Sequence, residues 1–312
     1  VRAPVGGALV CGLAALVLAG WGARANPPAS PDAALARILP AALERGAGCL
    51  VRIQGPTGRV RSGVAISAST VVTCLSTLDA LGPDELSVHI GERRLPARLA
   101  GRDLRLRVVA LEVEGAEPGS PLEPARPAAP GRLCLALGAC FGEPTATFGM
   151  VSAVDRFQGR AYQVDAYVDA ANYGGPCLDV EGKLLGLVVH VDDRLGERSG
   201  VAFAIPIQRV LAILPRLQAG EVLEPAWLGG RVPRLGGGEG VTLRSVAAGG
   251  PLARAGLEAR DVIVSLGGRP TPTRQAFRDA QLDLVAGQRV ELEFLRGGLR
   301  RKVVVTCARK PH

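Results

Sequence analysis

Between Cys49 and Ala204 the chain consists almost entirely of short apolar runs broken by turn-forming residues, a rhythm that leaves no room for a helical bundle. One set comprises Cys49–Gln54, Gly63–Ser67, Thr70–Thr73, Leu86–Ile90, Arg98–Ala100 and Arg107–Val113. A second comprises Leu133–Leu137, Ala146–Val154, Tyr162–Val168, Cys177–Val180, Leu184–Val191 and Gly200–Ala204. Between them, Glu114 to Gly131 is rich in Pro, Glu, Gly and Ala and reads as an exposed crossover. The middle of the chain is therefore expected to hold two six-strand units joined by a loop. The 41 glycines and 4% aromatic content fit such turn-rich strands with small-residue cores.

Residues 32–46 look helical with a break at Pro40, and Pro206 to Leu217 carries apolar residues at helical spacing. Gln218 to Pro225 reads as a polar hinge. Beyond it comes a pattern of its own: strand Trp227–Val232, a Gly-rich turn, strand Val241–Val246, a short helix from Pro251 to Gly256 and strand Asp261–Leu266. A helix from Thr273 to about Leu284 and strands Arg289–Leu295 and Arg301–Cys307 complete a small α+β unit.

The net charge of +8 raises the question of nucleic acid. Only Lys183, Lys302 and Lys310 are lysines, and the arginines that make up the rest of the 37 basic residues are scattered among acids rather than gathered in a stripe. The composition therefore points away from a nucleic-acid partner. Arg2, an uncharged run from Val5 to Trp21 and Ala23-Arg24-Ala25 before Asn26 have the layout of a secretory signal peptide over residues 1–25. The run is also long enough for an uncleaved membrane anchor, and that alternative stays open. Export is expected either way, to the periplasm or cell envelope. After residue 25, cysteines remain at 49, 74, 134, 140, 177 and 307; Cys134, Cys177 and Cys307 sit in strand-like text and read as buried thiols. With no Cys-x-x-Cys and three histidines, neither a metal site nor a cofactor is expected.

The most telling motif is Val-Asp-Ala-Tyr-Val-Asp-Ala-Ala-Asn-Tyr-Gly-Gly-Pro-Cys-Leu-Asp at 164–179. It resembles, without a gap, the active-site loop of the HtrA-type serine proteases, in which Gly-Asn-Ser-Gly-Gly-Pro carries the nucleophile. Ser62-Gly63-Val64-Ala65-Ile66, Phe148-Gly149-Met150-Val151-Ser152-Ala153 and Val201-Ala202-Phe203-Ala204-Ile205-Pro206 resemble three further strands of that family. Gly250-Pro251-Leu252-Ala253-Arg254-Ala255-Gly256-Leu257 followed by Asp261-Val262-Ile263 looks like its PDZ domain. The resemblance implies a mainly β chain: a trypsin-like double six-stranded barrel over 49–217, then a small α+β PDZ domain over 226–310, with a linker and helix over 26–48.

Carried over position by position, the resemblance puts Ser76 where the family keeps its general base, in Thr73-Cys74-Leu75-Ser76-Thr77. It puts Arg107 where the orienting carboxylate belongs, and Tyr173 where the nucleophile belongs. A serine hydroxyl does not accept a proton near neutral pH as imidazole does, and a phenol with a pKa of about 10 is unactivated without a base. Ala171 replaces a glycine in the oxyanion loop that Ala171, Asn172 and Gly174 would form, and its Cβ narrows the available backbone conformations. His89 and His190 read as ordinary strand histidines away from the cleft. Two roles stand for Tyr173, filling the vacated specificity pocket or stacking on a ligand.

In the PDZ-like segment, Trp227-Leu228-Gly229-Gly230 resembles the loop whose N–H groups hold a peptide carboxylate, with Gly230 replacing an apolar residue. Ala276, Phe277 and Ala280 would line the side-chain pocket, or Phe277 would simply pack the core. The resemblance thus implies a catalytically inactive, pseudoprotease-like protein. It would bind unfolded polypeptides or peptide C-termini, as a scaffold, an adaptor or a regulator of an active relative. The alternative is an active endopeptidase with a displaced or differently aligned triad. Residues 26–50 lack the aromatics through which relatives form trimers, and the sequence does not set the oligomeric state.

Overall fold

The computed structural model describes residues 31–115, 123–140, 143–157, 159–190, 200–233 and 239–311. The leader-like segment therefore lies outside the described residues. Helix α1 spans Pro31–Ala47 and includes Pro40, where the sequence suggested a break. Strong helix formers flank the proline on both sides, and they offset the one hydrogen bond its ring removes.

Strands β1 (Leu50–Gln54), β2 (Val60–Ser67), β3 (Thr70–Cys74), β4 (Leu86–Ile90), β5 (Arg93–Asp103) and β6 (Val108–Val113) run in the order β5-β4-β1-β2-β3-β6, and β5 pairs with β6 to close the barrel. Val51, Ile53, Val71, Val88, Val109 and Leu111 fill it. Each such fully buried aliphatic side chain contributes about 1.5–3 kcal/mol. A second closed barrel is built from β7 (Leu133–Cys140), β8 (Glu143–Arg156), β9 (Ala161–Val164), β10 (Pro176–Asp179), β11 (Leu184–Val189) and β12 (Ala202–Pro206). Its core is smaller in side-chain volume, with Ala136, Val151, Val164, Leu185, Val188 and Ala204 beside the thiols of Cys134 and Cys177. Cys49, Cys74, Cys134, Cys177 and Cys307 are all buried free thiols. A hydrogen bond with Cys134, together with burial, pushes the Cys177 thiol up.

The strand expected over Tyr162–Val168 ends at Val164. Asp165 turns the chain there, its side chain accepting from the Met150 N–H. The short helix α2 (Leu75–Leu81) has no counterpart in the sequence reading; it bridges β3 and β4 over the end of the first barrel. After the barrels come α3 (Ile207–Gln218) and then β13 (Val222–Leu223), which pairs in parallel with β5. The expected polar hinge is therefore partly a strand, because Leu223 is apolar and inserts at 1% exposure.

The C-terminal part contains β14 (Ala226–Trp227), β15 (Gly230–Arg231), β16 (Val241–Thr242), β17 (Ser245–Val246), α4 (Pro251–Arg254), β18 (Val262–Leu266) and β19 (Arg269–Pro270). It ends with α5 (Arg274–Leu282), β20 (Arg289–Arg296), β21 (Leu299–Thr306) and β22 (Ala308–Arg309). Where one strand was expected over Trp227–Val232 there are two, because Gly229 at φ +81 bends the chain between them.

Arginines join this part to the barrels. The guanidinium of Arg105, held on the buried Asp103 carboxylate at 2.6 Å, donates at 2.7 Å to the Asp283 carbonyl at the end of α5. A cation there also meets the negative end of the helix dipole. Arg209 on α3 donates to the Asp283 carboxylate at 3.0 Å, and Arg269 does so at 2.5 Å. Burial raises the Asp283 carboxyl, but the hydrogen bonds from Arg269 and Arg209 outweigh it and hold the group below the usual carboxylate range. Such a group stabilises the fold fully above the ordinary Asp value of about 3.9, and the contribution is lost as pH falls through the lower folded value. Asp283→Asn is expected to cost about 1–3 kcal/mol, seen as an earlier calorimetric transition, and to flatten the acid dependence in that window. An unchanged trace would mean that the backbone contact from Arg105 carries the join alone.

Candidate functional site

The first turn of α2 is bonded by the backbone of two distant segments. Its N-terminal N–H groups need acceptors, and the N-cap, Cys74, supplies none from its side chain. The Leu75 N–H instead donates to the Arg107 carbonyl at 2.8 Å. Arg107 aims that carbonyl from a left-handed backbone at φ 58, a conformation that costs a side-chain-bearing residue about 1–2 kcal/mol. Its Nε is buried without a hydrogen-bond partner among the described residues. Two residues beyond Leu75, the Thr77 hydroxyl donates to the Tyr173 carbonyl at 3.3 Å. The Ser76 hydroxyl, between them, lies 3.0 Å from the Cys74 sulfur. The backbone carbonyls of Arg107 and Tyr173 are thus bonded to the residues on either side of Ser76.

The loop 169–175 is fixed from within. Its tightest point is Gly174, at φ +86, whose N–H donates to the Val188 carbonyl at 2.8 Å. The Val188 N–H answers to the Gly175 carbonyl at 2.9 Å. Ser62, fully buried, clamps the loop from the first barrel: its hydroxyl donates to the Ala171 carbonyl and accepts from the Ala139 N–H. Most telling is the N–H of Ala171. It donates to the Asp169 carboxylate at 2.8 Å, while the Asn172 side-chain oxygen accepts from the Asp169 N–H at 3.0 Å. In the HtrA-type resemblance this N–H is one of the donors an oxyanion would need, and here a carboxylate of the same loop already holds it.

Tyr173 packs against the core of the second barrel. Its ring also lies 5.1 Å, centroid to centroid, from that of His190. His190, expected within a strand, lies just past the end of β11. The cause is the ladder just described: β11 runs beside Gly174 and Gly175, so the residue after its last strand position arrives beside Tyr173. His89 does keep to its strand. It hydrogen-bonds Gln54 at 3.0 Å, and burial, with Arg52 and Arg94 nearby, lowers its pKa.

A second concavity, of about 580 Å³, opens between β15 and α5. Its lining includes Gly230, Val232, Phe277 and Gln281. Phe277 belongs both to this groove and to the core, at 2% exposure, so the two roles proposed for it coexist. Ala280 is core, and the Ala276 N–H donates to the hydroxyl of Thr273, the N-cap of α5; neither is among the described residues lining the groove. Trp227 and Leu228 stand just before it, Leu228 buried in the core. Among the described residues no backbone carbonyl accepts from the N–H of Leu228 or Gly229. A Cβ on Gly230 would come within 2.7 Å of Leu252 and 2.9 Å of Leu243, so those leucines occupy the space that an apolar side chain at 230 would take.

Comparison with known proteins adds to this geometry. The Trypsin-like peptidase domain family matches residues 61–187, and the PDZ domain family matches residues 217–307. A "Probable periplasmic serine endoprotease DegP-like" protein of Pseudomonas savastanoi pv. phaseolicola is 30% identical over 83% of this chain and 57% of its own length. The protein of the same description from Pseudomonas fluorescens is 31% identical over 80% of this chain and 56% of its own. The chain therefore spans little more than half the length of these relatives. Among solved structures, "HtrA-type protease AlgW with tripeptide" superposes with a TM-score of 0.73 at 25% identity, covering 88% of this chain and 98% of that one. A serine endoprotease from Yersinia pestis, at 22% identity and a TM-score of 0.70, shares the fold. With two six-stranded barrels, a clamped Asn-Tyr-Gly-Gly-Pro loop and a PDZ domain in this order, the chain belongs to the HtrA-type protease family.

Proposed function

We propose that this chain is an exported, catalytically inactive HtrA-like protein that binds unfolded polypeptides or peptide C-termini through its PDZ domain. It would serve protein quality control as a scaffold, an adaptor or a regulator of an active relative. In this reading residues 49–217 are a trypsin-like frame and 226–310 the binding domain, joined to the leader by residues 26–48. Ser76, Arg107 and Tyr173 stand at the positions of base, orienting acid and nucleophile. The observation that carries the reading is the capture of the Ala171 N–H by Asp169 at 2.8 Å. A triad lost residue by residue leaves slow catalysis from the oxyanion hole, and here that remainder is engaged elsewhere. Periplasmic export is supported by the naming of the Pseudomonas relatives. No helix among the described residues is long and apolar enough to cross a membrane.

One observation favours a second reading, an endopeptidase with displaced catalytic groups: the imidazole of His190 beside the phenol of Tyr173. A fluorophosphonate probe and an unfolded protein substrate separate the two. Neither labelling nor cleavage is expected from the folded chain, nor from Tyr173→Ser, which restores one atom without its base. Labelling that depends on folding and disappears in His190→Ala would decide for the endopeptidase.

A further inference from the structure

We propose that the groove between β15 and α5 selects acidic peptide C-termini, with arginines on both walls that meet no carboxylate among the described residues recognising carboxylates upstream of the terminal residue. The proposal rests on the reading of this part as a C-terminus-binding PDZ domain, and names the class of peptide it takes.

Arg231 and Arg244 line the groove from the strand side, Arg274 and Arg278 from α5. The two on α5 are four apart, so they stand one turn above each other on one face. No Asp or Glu lines the groove among the described residues. Elsewhere in the same part of the chain Arg269, Arg296, Arg300, Lys302 and Arg309 each meet a carboxylate. Among the described residues the four groove arginines meet none, and Arg274 Nε is buried with no hydrogen-bond partner. The acids of α5 and its end are committed elsewhere: Asp279 accepts from Gln275 at 2.8 Å, and Asp283 is held by Arg209 and Arg269.

Like charges facing one another across a partly enclosed groove repel, and an anionic occupant relieves that repulsion. A peptide added to the β15 edge presents its side chains alternately to the two walls. Successive acidic residues would therefore meet Arg274 and Arg278 on one wall and Arg231 and Arg244 on the other, each guanidinium offering a fork of donors to a carboxylate. The terminal side chain, toward Phe277, would be apolar. A single-stranded nucleic acid fits less well, because the only aromatic in the lining, Phe277, is 2% exposed and offers no stacking face.

The test is fluorescence anisotropy on the full chain with short labelled peptides. One carries a run of Asp and Glu before a terminal Ala-Val with a free carboxylate, a second has Asn and Gln in the run, and a third is the acidic peptide with an amidated end. Single-stranded DNA is the fourth probe. The free acidic peptide is expected to bind about tenfold more tightly than the neutral one, with the gap narrowing at high salt. Arg278→Glu, at an exposed side chain, should shrink the gap severalfold with little change for the neutral peptide. Arg231→Glu, on the opposite wall, should do the same and guards against a folding defect in either. Equal affinity for the two free-ended peptides, or variants without effect, would overturn the acidic preference and leave the PDZ reading intact. Equal binding of amidated and free acidic peptides would overturn the C-terminus reading and the proposal with it. DNA binding tighter than the acidic peptide, or no binding by any peptide, would also overturn the proposal.

Discussion

Gly174→Ala is expected to leave too little folded protein to measure. An ideal Cβ at this position would lie 2.1 Å from the Thr73 hydroxyl and 2.4 Å from the Ser62 carbonyl, two groups that are hydrogen-bonded to each other at 2.8 Å. Both belong to the wall between the barrels, and both residues are almost fully buried, so neither can move aside cheaply. The left-handed backbone adds about 1–2 kcal/mol for a residue with a Cβ, and overpacking about 1–3 kcal/mol or more. Against a total stability of about 5–15 kcal/mol the sum removes much or all of the fold. Gly58→Ala is the control: its φ is +80, but the nearest atom to an added Cβ is the end of the Gln54 side chain at 3.9 Å, so it isolates the backbone cost. Urea unfolding followed by circular dichroism should show a loss of about 1 kcal/mol for Gly58→Ala and no cooperative transition for Gly174→Ala. Equal losses would show that the loop relaxes freely. The Gly-Gly-Pro text would then need another explanation than packing.

That result would also bear on what the sequence can reveal. The strand rhythm was legible because period-two burial leaves a mark on every residue of a strand, and both barrels closed from the runs identified. Helix α2 was not, since Leu75-Ser76-Thr77-Leu78 follows directly on β3 and its N-cap offers no side-chain acceptor. Three of the site positions were legible through resemblance alone; the structure adds that the carbonyls of Arg107 and Tyr173 bond the residues flanking Ser76. The capture of the Ala171 N–H was invisible, because an Asp two residues upstream is equally consistent with a solvated loop. The neighbourhood of His190 and Tyr173 was invisible for a similar reason: it depends on how β11 registers against the 174–175 turn, a pairing between distant segments. The arginines of the groove left a faint local signal, Arg274 and Arg278 at helical spacing, while Arg231 and Arg244 join them only through the fold. The join at Asp283 depends on Arg105 and Arg209, which no local pattern connects to it.

On the proposed reading, restoring a base, an acid and a nucleophile at 76, 107 and 173 is expected to yield little activity until a fourth change is made. The triple variant Ser76→His, Arg107→Asp, Tyr173→Ser would put base, orienting acid and nucleophile at the positions that the resemblance assigns to them, two of which bond the first turn of α2 through their backbone carbonyls. Asp is better suited than Arg to the left-handed backbone at 107, where φ is 58. The Ala171 N–H, however, would still donate to Asp169 at 2.8 Å rather than toward a developing oxyanion. Removing that acceptor with Asp169→Ala should free the donor, while the backbone bond from the Asn172 N–H to the Asp169 carbonyl, at 3.0 Å, keeps the turn closed. One oxyanion donor is worth about a hundred- to a thousandfold in rate, so the quadruple variant should cleave an unfolded substrate faster than the triple by that factor. Fluorophosphonate labelling should rise in parallel, and circular dichroism must show both variants folded, because Tyr173 packs against the second barrel core. Equal rates in the two would mean that the Asp169 contact opens readily when substrate arrives. The proposed inactivity would then reside in the side chains at 76, 107 and 173 alone, and the frame around them would be competent as it stands.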